Sequence, residues 1–145
     1  MTGKQYIRLT RPKIKEIFDE CNRLYFNDEV ETPHKFELWT PSKKCVAWVR
    51  AAFNKKRQCY RISLHVSSRY RWTEENLRDT IIHEMIHLYI KDYLVPLTFW
   101  ERIFPVRQHN SEFRQKMAEL NETHGLNIVV QAKHMRKEYI RWGLQ

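Results

Sequence analysis

The sequence predicts an α+β fold. One small domain is expected, in which an antiparallel β-hairpin or small sheet packs on a buried helix with two or three further helices around it. Three patterns predict this. Between Gln58 and Val66, Tyr60, Ile62, Leu64 and Val66 alternate with Cys59, Arg61, Ser63 and His65, the period of a strand with one buried face. Ile14, Ile17, Phe18, Cys21, Leu24 and Tyr25 recur at helical spacing. Between Leu77 and Ile90, apolar residues cover much of a helix's circumference, as expected of a helix enclosed by core.

The elements follow in order. Thr10 is suited to cap a helix and Pro12 to its first turn; the stripe then runs to about Phe26, where Asn27-Asp28 ends it. Phe36 to Trp39 reads as a short strand, Cys45 to Phe53 as a second, Asn54 to Arg57 as a turn, and Gln58 to Val66 as a third. If the hairpin closes across Asn54 and Arg57, Ile62 faces Val49, Leu64 faces Ala47, and Arg61 sits opposite Arg50 beside Trp48 and His65. Two opposed arginines repel, which suits a surface facing an anion. His65 and His34 are expected at the surface. Thr73-Glu74-Glu75 starts a second helix, with a capping hydroxyl and acidic residues at the positive end of its dipole, running to about Lys91.

Tyr93 to Gln108 holds Pro96 and Pro105 among large apolar residues and reads as an irregular segment; Phe99-Trp100 is expected to pack as core or lid support. A helix from about Ser111 to His124 is closed by Gly125. Leu126 to Val130 is a strand candidate, and Lys133 to Arg141 a basic helical tail. No linker, internal repeat or second domain interrupts residues 1–145, with a core at about 11–132 and a basic tail at 133–145.

Composition bounds the function. The 145 residues are 42% hydrophobic and 30% charged, enough for a folded, soluble domain. No run approaches the ~18 apolar residues of a membrane span, and the start lacks a secretory pattern. Cys21, Cys45 and Cys59 form no CxxC pair, which reads as reduced structural thiols in a cytoplasmic protein. The net charge of +9, from 26 Lys+Arg against 17 Asp+Glu, points to a polyanionic partner, nucleic acid first; association with the nucleoid would follow.

The chemistry sits in His83-Glu84-Met85-Ile86-His87. Histidines four apart on a helix share a face and can reach one metal ion, and the glutamate after the first can deprotonate a water held there. Inside an apolar helix both rings need partners, and a metal satisfies both. A third ligand and an open position are required. The extended metzincin pattern would place Gly at 90 and His at 93, but these are Ile90 and Tyr93, which excludes that class. The remaining candidates are His109, His124, His134, Glu101, Glu112 and Glu119. His109 lies just ahead of a helix in His109-Asn-Ser-Glu-Phe113, where a loop can bring it to the first histidine pair while Phe113 anchors the helix.

HEMIH, an aromatic insert, His-x-x-x-Phe and Gly125-Leu-Asn-Ile-Val-Val130 together resemble the SprT-like metalloprotease domain, the family of SprT and Spartan-type proteins. Upstream, Ile14-Lys-Glu-Ile-Phe18, Tyr25-Phe-Asn-Asp28 and Trp39 before a hairpin fit it as well, so the resemblance covers about residues 11–132. It implies a small zincin-like fold, one zinc ion held by His83, His87 and His109, and Glu84 as catalytic base. Spartan-type members act on proteins crosslinked to DNA. The segment from His87 to His109 is longer than in those members, and the cysteine-rich zinc ribbon that follows the domain in some is not among these 145 residues.

The leading expectation is thus a zinc-dependent endopeptidase in which Glu84 takes a proton from water and delivers it to the leaving amine. Its protein substrate would lie as an extended strand along a sheet edge. Tyr60, Tyr139 and His134 are candidates for an extra oxyanion donor, and Glu112 for a partner orienting a ligand histidine. The alternative is a DNA-binding module with a structural zinc or a vestigial protease site. Its support is Lys55-Lys56-Arg57 at the hairpin tip, Arg50 and Arg61 on the strands, Arg69 and Arg71 around Tyr70 and Trp72, and the basic tail. Cations with aromatics between them favour single-stranded nucleic acid.

Overall fold

The structure is a computed structural model describing residues 4–92 and 111–140. Thr10 starts the first helix, α1 (Arg11–Tyr25): its Oγ1 accepts from Lys13 N at 3.2 Å, and Pro12 occupies the first turn. Of the stripe read from the sequence, Ile14, Ile17, Phe18 and Cys21 are buried and Tyr25 is half-buried, but Leu24 is exposed. The helix stops where Asn27 and Asp28 take positive φ of 52° and 59°. Asn22 then fixes the exit, donating Nδ2–H to Val30 O at 2.9 Å and accepting from Val30 N at 3.1 Å.

Strand β1 (Tyr6–Ile7) precedes α1; β2 (Lys35–Glu37), β3 (Ala47–Asn54) and β4 (Cys59–Val66) follow, and β5 (Trp72–Thr73) leads into helix α2 (Glu74–Ile90). β1 pairs with β5, and the main sheet is mixed, ordered β2-β4-β3, with β2 parallel and β3 antiparallel to β4. Val49, Ile62, Leu64 and Val66 make its core face, and Phe36 meets Phe18 of α1 edge to face with centroids 6.0 Å apart. α2 touches α1, β3, β5 and the next helix, α3 (Ser111–His124). Its start is capped as read from the sequence, with Thr73 Oγ1 accepting from Asn76 N at 3.1 Å.

The hairpin register departs from the sequence reading. Asn54 pairs with Cys59, not across to Arg57, so the loop is Lys55-Lys56-Arg57-Gln58. Its cause is local. Asn54 Oδ1 accepts from Lys56 N and Arg57 N at 3.0 and 3.2 Å, and Gln58 adopts φ 54°, which together close a longer turn. Every pair moves by two: Val49 faces Leu64, Ala51 faces Ile62, Arg50 faces Ser63 and Arg61 faces Ala52. The faces are unchanged because the slip is even, but Arg50 and Arg61 are diagonal neighbours rather than opposed.

His65 is likewise not at the surface; it is 1% exposed. Trp39 and Trp48 cover it at centroid distances of 4.4 and 5.4 Å. Its Nδ1 lies 3.1 Å from Trp39 O and its Nε2 2.8 Å from Ser63 Oγ. Burial holds this imidazole below its ordinary pKa, with the Trp39 carbonyl acting the other way. His34 is exposed but engaged, its Nδ1 accepting from Ile62 N at 3.1 Å.

Leu126 to Val130 forms no strand. Asn121 of α3 supplies what a neighbouring strand would, donating Nδ2–H to Ile128 O at 3.0 Å and accepting from Ile128 N at 2.8 Å. The expected helical tail is a 3-10 helix, Lys133–Glu138; Arg141 lies outside the described residues. That segment is docked: Arg71 N donates to Glu138 O, Ile140 N to Arg69 O, and Tyr139 bridges Tyr70. Buried Glu138 gathers Lys4 Nζ at 3.2 Å, Tyr6 Oη at 3.0 Å and Arg71 Nη2 at 3.4 Å, joining the two ends of the described chain. No described helix is long and apolar enough to cross a membrane.

Candidate metal centre

Helix α2 sets the geometry. His83 and His87 are one turn apart on one face, with ring centroids 5.4 Å apart. Glu84 is turned about 100° from His83, and its longer side chain brings a carboxylate oxygen back. One ligand atom from each of His83, Glu84 and His87 lies within 4.8 Å of the others. Glu84 is 5% and His87 6% exposed, so this polar group is set into core.

Each imidazole is oriented from behind. His83 Nδ1 lies 2.8 Å from Val129 O, and His87 Nδ1 lies 2.6 Å from Asp92 Oδ2. A carbonyl oxygen only accepts, so His83 must donate there; an ionised Asp92 requires the same of His87. Both rings then hold their proton on Nδ1 and their lone pair on Nε2, the tautomer a metal takes. Phe113, fully buried on α3, lies against both, with centroids 4.8 Å from His83 and 4.6 Å from His87. It anchors α3 against α2 as the sequence suggested.

Burial pushes Glu84 up to about 7 from 4.5; the charge of His87 opposes this and that of Asp92 adds to it. Cys45 lies within range of this carboxylate's charge. Burial, and then Glu84's charge, push its thiol up to about 12, so it stays neutral. Burial raises Cys21 to about 11, and all three cysteines are free.

The donor set suits a metal: two imidazoles held at Nδ1, His83 half-buried and His87 buried, with a buried carboxylate beside them. Among the described residues no other His, Cys, Asp or Glu joins this group. His124 is exposed, its ring against Tyr25 at 5.0 Å; His134 and Glu112 are exposed, and Glu119 pairs with Lys116 at 3.1 Å. His109 and Glu101, like the aromatic insert, lie outside the described residues. Tyr60 is exposed and stacked on Phe53 beside the hairpin turn, and Tyr139 packs on Tyr70.

Two orienting partners were missed in the sequence. Asp92 carried a usable signal, an acidic residue just past the helix end and five beyond His87. Val129 carried none, because its role is played by a backbone oxygen.

Of the basic residues singled out, Lys55, Lys56, Arg57, Arg50, Arg61, Arg69 and Arg71 are all exposed. Arg71 is tied to Glu138 and lies 4.7 Å over the Tyr6 ring. Tyr70 and Trp72 are 7% and 1% exposed, so they offer no stacking surface. Trp39, 48% exposed, lies on Trp48 and His65, on the sheet face that carries Arg50 and Arg61.

The sequence is similar to a known family. A model described as the SprT-like family matches residues 14–134, from α1 into the 3-10 helix. No curated protein matches the chain.

Proposed function

The chain belongs to the SprT-like family, and from that premise we propose that it is a zinc-dependent endopeptidase whose centre is His83, Glu84 and His87. The observation that carries this reading is the pair of acceptors, Val129 O and Asp92, fixing both histidines in one tautomer around a buried carboxylate. His83 and His87 would hold zinc through Nε2, with His109 as the third protein ligand. Zinc there supplies Lewis acidity, lowering the pKa of a water and polarising the scissile carbonyl.

The chain's own groups supply the rest. Glu84 takes a proton of the attacking water as the new C–O bond forms and the carbonyl π electrons move onto its oxygen, then delivers that proton to the nitrogen, so that the C–N bond breaks as the C=O bond re-forms and the amine leaves. Asp92 and Val129 keep the ligand rings from turning. Among the described residues β3 is an edge strand of the sheet, and it touches α2, which offers an edge for the substrate. Ser67 N donates to Val46 O, so ladder alternation turns the N–H and C=O groups of Val49 and Ala51 outward, where an extended polypeptide can pair with them.

Metal analysis and digestion of a denatured protein test this together. The wild type should hold one zinc and cleave; Glu84→Gln should keep the zinc and lose cleavage. Cleavage by Glu84→Gln at the wild-type rate would end the proposal. Lower zinc content in His109→Ala would identify the third ligand.

A nucleic-acid partner is a second proposal, supported by exposed Trp39, which lies on Trp48 and His65 on the sheet face that carries Arg50 and Arg61. Binding of single-stranded DNA that falls steeply with salt is its test.

A further inference from the structure

Two large aromatic side chains stand in solvent at the turn end of the β3–β4 hairpin. Phe53 is 50% and Tyr60 42% exposed; they are direct cross-strand partners with ring centroids 5.3 Å apart. The sheet face they share carries Val49, Ile62 and Leu64 into the core, yet neither ring joins that core. On the opposite face Arg50 is exposed three residues before Phe53, and Lys55, Lys56 and Arg57 are exposed in the turn that follows it. Among the described residues no carboxylate pairs with any of these four cations.

The backbone ties this aromatic pair to the edge offered to the substrate. The alternation that turns the N–H and C=O groups of Val49 and Ala51 outward does the same at Phe53, two residues on. A chain paired along β3 therefore places one side chain directly beside Phe53, on the face of the aromatic pair. The residue it sets beside Arg50, three positions away, points to the other face. The start of β3 is the end nearer the metal group, because Cys45, two residues before the strand, feels the charge of Glu84. Phe53 lies six residues beyond Ala47, about 20 Å at roughly 3.3 Å per residue. The substrate residue beside Phe53 is thus about five to eight positions from the bond cut. A row of outward amides and carbonyls at strand spacing serves a polypeptide and does nothing for a nucleic acid, which the neighbouring cations alone would also attract.

We propose that the turn end of β3 is a second holding point for the polypeptide substrate, where Phe53 and Tyr60 take an aromatic side chain and Arg50 takes an acidic one three residues nearer the cut. The proposal rests on the peptidase reading and names the substrate class of that site: unfolded segments with an acidic and an aromatic residue at this spacing.

The test uses the zinc-loaded full chain. Digestion of denatured proteins, with cuts mapped by mass spectrometry, should show Phe, Tyr and Trp enriched five to eight residues from the cut on one side only. The enrichment should fall at one position or at positions two apart, never at adjacent ones, because a shift by one turns the side chain to the other face. Asp and Glu should be enriched three residues nearer the cut. The double variant Phe53→Ser, Tyr60→Ser should go on cutting but lose the aromatic enrichment, and Arg50→Glu should replace Asp and Glu with Lys and Arg, a gain that misfolding cannot mimic. For a peptide built on a preferred site, replacing its aromatic residue by serine should raise KM about tenfold at unchanged kcat, the size of one aromatic pair. A peptide too short to reach Phe53 should be cut equally by wild type and the double variant. Cutting without the aromatic enrichment, or enrichment that survives the double variant, overturns the holding point and leaves the peptidase reading standing. Weaker single-stranded DNA binding by the double variant with an unchanged cutting pattern assigns the aromatic pair to nucleic acid and overturns it as well. No cleavage by the wild type overturns both readings.

Discussion

Asp92 Oδ2 lies 2.6 Å from His87 Nδ1, and the two are placed for each other by the way α2 ends. Lys91 turns the chain with φ 58°, folding Asp92 back beside the last turn of the helix. The ring of His87 is therefore gripped from a residue that is not on the helix.

Asp92→Asn tests that grip. The amide keeps the size and an acceptor oxygen but not the charge, so the hydrogen bond to the ring weakens and the ligand loses some basicity. Zinc affinity should fall about 10- to 100-fold, measured by competition with a chromophoric chelator, while circular dichroism stays unchanged.

Glu84 makes the metal-free protein pH-dependent in a definite direction. Its carboxyl is raised from 4.5 to about 7, so the folded state holds a proton that the unfolded state releases. The stability this brings is complete below pH 4.5 and is lost as pH rises through about 7. Metal-stripped Glu84→Gln should therefore be more stable than stripped wild type at pH 8, by a margin on the order of 3 kcal/mol. The gap should close towards pH 4.5 in urea titrations.

Glu138 has the opposite sign. Burial pushes its carboxyl up, but hydrogen bonds from Lys4 and Tyr6 and the charges of Lys4 and Arg71 outweigh this and hold it below 4.5. The stability it contributes is present above 4.5 and lost as pH falls through the lowered value. Glu138→Gln should cost stability at pH 7 and progressively less below pH 4, read from the same titrations.

Phe113 supports both imidazoles and the contact between α2 and α3. Phe113→Ala should destabilise the metal-free protein by about 3–5 kcal/mol, lowering its melting temperature by roughly 10 °C. Phe113→Leu should recover most of that stability, yet bind zinc more weakly than wild type because the flat surface under both rings is gone.

Local chemistry made much of this legible. Thr10 and Thr73 announced helix starts because a capping hydroxyl acts within three residues, and the spacing of His83 and His87 placed them on one face wherever the helix went. Legibility failed where distant segments decide. His65 alternates like a surface residue, and Trp48 across the ladder together with Trp39, brought in by the chain after β2, covers it. The hairpin slipped by two because an Asn54 side chain competes with the tighter turn. The strand expected at Leu126–Val130 had the right residues, but Asn121 already satisfies the backbone there.

That last substitution has a consequence for the metal. Asn121 clasps Ile128 on both its backbone groups, and the next residue, Val129, supplies the oxygen that holds His83. The shape of the loop and the strength of metal binding are thus two readings of one equilibrium, and linkage makes the influence mutual. Loosening the clasp from the far side of α3 will leak metal, and filling the centre will slow hydrogen exchange at the Ile128 amide, a reporter that needs no substrate.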